Sequence, residues 1–221
     1  MKKLVLSIFA AAAMMSSALA AELHLGVSAQ MVKIEADGTE TEGGENNTGS
    51  VSHTVPVGSI FAEITSGRFT LGLDYIPMDA EVSDATKKRT DTETSVTGTA
   101  AETTTSRTQT AQAELSNHMM LYTELMVTDN FYAKAGFVSV DVATQESLGT
   151  GSKYPDDTIN GILVGAGLKR ERGNGYFKIE ATYTDYEDIA LQSTVARTGV
   201  ATNNKITADI DAAAIKLSYA F

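Results

Sequence analysis

Apolar side chains recur at every second residue in eight separate stretches of this 221-residue chain. That period of two is the feature that most constrains its fold, because it belongs to strands with one apolar face. The stretches lie at about residues 22–34, 53–65, 68–76, 111–127, 131–137, 162–169, 176–186 and 205–221. In the first, Leu23, Leu25, Val27, Ala29 and Met31 oppose His24, Gly26, Ser28 and Gln30. In the last, "AIKLSYAF", Ile215, Leu217, Tyr219 and Phe221 oppose Ala214, Lys216, Ser218 and Ala220.

The connections come in two kinds, strictly alternating. Ser66-Gly67, Thr128-Asp129-Asn130 and Asn174-Gly175 are tight, and the last reads as a type I′ hairpin turn because both residues accept positive φ. The others are long and polar: "ADGTETEGGENNTGS", the Thr-rich "SDATKKRTDTETSVTGTAAETTTSRT", "TQESLGTGSKYPDD" and "QSTVARTGVATNN". Short turns at one end and long loops at the other describe an all-β, eight-stranded, antiparallel up-and-down barrel. The face opposite the apolar one is rich in Gly, Ala, Ser and Thr with charges placed singly, which suits a narrow lumen better than a water-exposed outside. The apolar face, nine to eleven residues per strand, is expected to meet lipid.

Lys2 and Lys3, a short apolar run and Ala18-Leu19-Ala20 read as a secretory signal peptide over 1–20, leaving one barrel domain over 21–221. Without the signal the chain carries 15 basic and 28 acidic residues, a net −13, which argues against a nucleic-acid partner. It has no cysteine, so no disulfide staples the fold. No stretch after the signal approaches 18 consecutive apolar residues, which excludes helical spans but not strands.

The terminal "IKLSYAF", together with "GILVGAGLKRE" and "YFKIEATYTDYED", resembles the small outer-membrane β-barrel superfamily that includes outer membrane proteins A, X and W. The resemblance implies short periplasmic turns, both termini periplasmic, long extracellular loops and a bacterial outer-membrane location. It also implies partners: outer-membrane lipid and lipopolysaccharide, and the insertion machinery, which would read Phe221, Tyr219, Leu217 and Ile215. The barrel is expected to be monomeric and to lack a peptidoglycan-binding domain. The chain has no Trp, so any aromatic girdle must come from Tyr and Phe, and the Gly-x-Trp usual in soluble lipocalin barrels is missing.

No catalytic residue, metal site or cofactor is indicated. Gly-x-Ser-x-Gly is absent, and His24, His53 and His118 lie at no metal-ligand spacing from one another. The acidic loop "EADGTETEGGE" is not an EF-hand. Charge placement says more. With a two-residue turn at Asn174-Gly175, Glu171 would face Lys178 and Lys169 would face Glu180. A three-residue turn at 128–130 sets Glu124 opposite Lys134, and Lys216 lies beside Glu180. These seven side chains are expected to plug the bore with ion pairs, giving a structural or surface-interaction barrel. The alternatives are a narrow channel for small solutes and a secreted soluble ligand-binding barrel.

Overall fold

The computed structural model describes residues 21–42, 45–82, 87–95, 103–145, 153–193 and 204–221; the expected signal peptide lies outside them. Eight long strands follow from the eight alternating stretches. They are β1 (Glu22–Glu42), β2 (Glu45–Ser66), β3 (Phe69–Ile76), β7 (Ala113–Met126), β8 (Phe131–Thr144), β9 (Asp157–Arg172), β10 (Gly175–Tyr186) and β12 (Lys205–Ala220). Each pairs antiparallel with its neighbour, and β1 pairs with β12 from Gly26↔Ala220 to Thr41↔Lys205, which closes the ring. Phe221 extends that closure, donating its N–H to the Leu25 carbonyl at 2.9 Å and accepting from the Leu25 N–H at 3.2 Å. Short β4 (Ala80–Glu81) pairs with β7, and β11 (Ile189–Gln192) pairs with β12. The Thr-rich segment forms a hairpin of its own, β5 (Lys87–Ser95) with β6 (Thr103–Ala111), outside the ring.

Two tight turns differ in register from the sequence expectation. The β9–β10 turn is Gly173-Asn174, flanked by the pair Arg172↔Gly175, and the β2–β3 turn is Gly67-Arg68. Gly67 and Gly173 have φ of 60° and 65°, while Asn174 stays out of that region. Positive φ at the first central residue alone is the type II′ pattern, and glycine takes it without a Cβ clash.

Polarity reverses part-way up the barrel. Near the turn end the outside is apolar: Leu23, Phe69, Phe137, Ile162 and Leu217 are all more than half exposed. A ring of such side chains on every strand is too large a patch for water and is the belt a bilayer covers. Further along the same strands the outward positions become polar. On β1 Met31 gives way to Lys33, Glu35 and Asp37; on β8 Phe137 to Ser139 and Asp141; on β12 Ala213 to Asp211 and Asp209. Asp209 is held above the usual carboxylate range by desolvation and by Asp211, Asp188, Asp185 and Asp37. The inward positions reverse in the opposite sense. Above Gln30 they are Val32, Ile34 and Ala36, and a buried cluster of Ile34, Leu115, Met120, Val138, Val140, Val142, Ile159, Leu163 and Ile210 fills this half. The expectation of a small, polar inner face therefore holds only for the turn half.

The loop half is built like a barrel in water, apolar inside and polar outside. This also corrects the loop reading of "ADGTETEGGENNTGS", into which β1 and β2 run as a paired ladder as far as Glu42↔Glu45.

One side of the ring is incomplete. The β2–β3 ladder runs only from Ser66↔Phe69 to Ile60↔Tyr75, while β2 continues back to Glu45. Among the described residues no ladder covers that edge of β2 above Ile60, because β4 pairs with β7 instead. Pro56 and Pro77 flank this seam, and proline donates no ladder hydrogen bond. Gly58 and Pro56 stand opposite Ala29 and Met31, so the seam begins inside the apolar belt.

Replacing Val164, half-way up the belt on β9, with Arg should destabilise the barrel by about 2–4 kcal/mol in lipid vesicles. Asp141→Arg, above the belt, should change it by under about 1 kcal/mol. Urea unfolding of both variants checks this; equal losses would contradict the belt.

Candidate functional site

The lumen of the turn half is filled by a network of charged and phenolic side chains. Glu63 on β2, Asp74 on β3, Glu124 on β7, Lys134 on β8, Lys178 and Glu180 on β10 and Lys216 on β12 are all buried. Each lies on the inward face of its strand, and the partners reach across the bore as well as between neighbours. Lys134 Nζ donates to Glu180 at 2.9 and 3.2 Å and lies 3.8 Å from Glu124. Lys178 bridges Glu124, at 2.7 Å, and Glu63. Lys216 pairs with Asp74 and lies 3.9 Å from Glu180. Tyr122 donates to Glu63 at 2.5 Å, Tyr132 to Glu180 at 2.7 Å, Tyr176 to Glu63, and Ser59 to Asp74 at 3.0 Å.

Strand glycines make room for the rings. Gly72 stands opposite Tyr122 and Gly167 opposite Tyr132, and in each case a Cβ would collide with the phenol lying across it. The flattened rings then cover cations, with Lys134 Nζ 3.7 Å above the Tyr122 centroid.

The sequence-derived pairs fare differently. Glu124 stands opposite Lys134, and Glu180 opposite Lys216. The turn register sets Lys178 opposite Lys169 and Tyr176 opposite Glu171, so the expected pairs Glu171–Lys178 and Lys169–Glu180 do not form. Glu171 is exposed. Lys169 sits at the turn-end rim, its Nζ 3.9 Å above the Tyr176 ring. Counting it, four cations meet four carboxylates. Glu63 and Asp74 were missed because their cross-strand neighbours are Gly72 and Phe61; their partners lie across the lumen, where neighbour register carries no signal. Ile215, Leu217, Tyr219 and Phe221 all face outward in the belt, with Tyr219 4.7 Å from Phe177 between ring centroids.

Above the network lie two stacked chambers. The lower, about 60 Å³, is lined by apolar residues including Ile34, Val57, Ile76 and Val140 and by the polar Gln30, His118, Thr182, Thr184 and Tyr186. Met78 lines it too, and is 48% exposed. The upper chamber, about 680 Å³, opens toward the loop end between Ala36, Val51, Val82, Val142, Tyr154, Leu191 and Ile210. On the outer surface at the loop end, carboxylate oxygens of Asp185, Asp209 and Asp211 lie within 4.8 Å of one another, close enough to share a cation. His24 packs edge-on against Tyr176, ring centroids 4.9 Å apart.

No family model and no curated protein matches the chain. Solved structures do. The outer membrane protein OprG of Pseudomonas aeruginosa is similar over 90% of this chain and 95% of its own, at 10% identity and a TM-score of 0.49. AlkL, an outer membrane protein solved in lipid bilayers, is similar over 90% of each chain at 14% identity and a TM-score of 0.49. The attachment invasion locus protein Ail of Yersinia pestis covers 86% of this chain and 98% of its own, at 11% identity and a TM-score of 0.32. By its apolar outer belt and closed ring, this chain has the fold of a small transmembrane β-barrel.

Removing Asp74 alone leaves Lys216 buried without its main partner, and Asp74→Leu should cost about 3–5 kcal/mol. The double variant Asp74→Leu/Lys216→Met should recover most of that loss, since the desolvation penalty goes with the pair. Unfolding free energies for the two singles and the double check this; additive losses would contradict direct pairing.

Proposed function

We propose that this barrel admits small apolar molecules from outside the cell and releases them sideways into the membrane, while its charged floor blocks ions. The observation that carries this reading is the position of the seam. An apolar chamber open at the loop end stands over a floor of paired charges, and the wall beside it, at Gly58, Pro56 and Met78, has no ladder on the β3-facing edge of β2 within the lipid belt. A molecule entering from the loops meets the charged network below and lipid beside it. The hydrophobic effect then favours the sideways exit, by about 25 cal/mol for each Å² of apolar surface kept from water.

The turn end faces the periplasm with both termini, after export through the signal peptide. Phe221 and the outward Tyr219, Leu217 and Ile215 serve as the assembly signal. The inserted protein is a monomer, its belt in lipid and its polar rim among lipopolysaccharide headgroups. The role involves no chemical transformation. It combines two expectations drawn from the sequence, the plugged lumen and the narrow path for small solutes, by giving the path a side exit.

The native chain has no cysteine, which permits a clean test. A Cβ at Gly58 would lie 4.0 Å from Met78 Sδ, so cysteines at the two positions, Gly58→Cys with Met78→Cys, can be stapled across the seam by a short bis-methanethiosulfonate. The staple should reduce delivery of a radiolabelled alkane into proteoliposomes to the level of protein-free vesicles, and a reductant should restore it. Undiminished delivery with the staple formed would overturn the side exit.

A further inference from the structure

The lower chamber is not uniformly apolar, and its polar atoms suggest what it holds. Between the charged floor and the apolar vestibule runs a belt of neutral hydrogen-bonding side chains: Gln30, His118, Thr182, Thr184 and Tyr186. His118 stands out among them. Its Nε2 lies 3.2 Å from the Tyr186 hydroxyl, while its buried Nδ1 makes no hydrogen bond. A phenol is the better donor of the pair, so Tyr186 donates to Nε2 and the proton of the neutral ring resides on Nδ1. A buried N–H without an acceptor is costly, and supplying the acceptor recovers that cost.

We propose that the chamber selects apolar molecules carrying one neutral hydrogen-bond-accepting head, such as an alcohol, ketone or ester, and that His118 Nδ1–H binds the head. The proposal rests on the reading of the chamber given above and adds the chemistry of the ligand. Size agrees: about 60 Å³ holds a few heavy atoms, and the about 680 Å³ above it holds a chain. Charge sets the head's neutrality. Among the described residues no lysine or arginine lines the lower chamber, and its charged member, Glu180, is already held by Lys134 and Tyr132. A carboxylate head would meet Glu180 without a free cation to match it. The acceptor side of the head thus points to His118, and its tail lies among Ile34, Val57, Leu115 and Val140.

The test compares three probes of equal chain length, n-nonane, 2-nonanone and nonanoate, with the full barrel in lipid nanodiscs. The chain has three histidines, so ¹⁵N-histidine spectra are readily assigned. The ketone should bind about tenfold more tightly than the alkane and shift the His118 Nδ1 resonance, leaving His24 and His53 unmoved. Nonanoate should bind no better than nonane. His118→Phe keeps the ring's bulk and should abolish the ketone's advantage while leaving nonane binding within about twofold. Equal binding of ketone and alkane, a preference that survives His118→Phe, or tightest binding of nonanoate would overturn the proposal while leaving the chamber's role intact. If none of the three binds, both fall. Where His118→Phe fails to show the heat-dependent gel shift of a folded barrel, the native His118 resonance decides alone.

Discussion

Backbone hydrogen bonding is the constraint on which the structure depends. Inside hydrocarbon no water is available to an unpaired N–H or C=O, so a sheet that crosses a membrane has to close on itself. Closure here is the β1–β12 ladder, continued by Phe221 to the last residue. An eight-stranded ring is narrow, and that narrowness decides what the lumen does. Opposite charges on facing strands come within pairing distance, and the phenols of Tyr122 and Tyr132 lie across wall glycines, at Gly72 and Gly167. Among the described residues the wall departs from closure above Ile60 on β2, where two prolines stand and where Met78 lines the chamber.

The reversal of polarity along the strands divides one barrel between two solvents. In the belt, lipid covers the apolar outside and opposite charges pair with one another within. Beyond it, water covers the polar outside and the apolar groups pack within, as in a soluble sheet. The buried charges need not stabilise the fold, since their desolvation offsets much of the Coulomb gain. Their effect is specificity of another kind: Lys134, Lys178 and Lys216 are each held by carboxylates from two different strands.

Much of this was legible in the sequence and some was not. Period two, the alternation of short and long connections and the terminal "IKLSYAF" define the strand number, the ring and the lipid face, because each is a local property of the chain. Glu124–Lys134 and Glu180–Lys216 were also legible, being cross-strand neighbours. The pairs at the β9–β10 turn were not, because moving the turn from Asn174-Gly175 to Gly173-Asn174 changes every partner along the ladder. Glu63 with Lys178 and Asp74 with Lys216 are contacts across a lumen, which no register reveals. The inner reversal at Gln30–Val32 was hidden for a different reason. A strand that changes solvent keeps its period, and only the character of its two faces changes, so the long β1 and β2 read as strands ending in a polar loop.

Single-channel recording in a planar bilayer tests the closed floor most directly. The native barrel should show no stable open currents at either polarity in molar salt. Replacing Glu124 and Glu180 with Ala, which removes two of the carboxylates that hold Lys134, Lys178 and Lys216, should raise conductance above that baseline. Stable, open, ohmic currents through the unmodified protein would contradict a bore closed by paired charges.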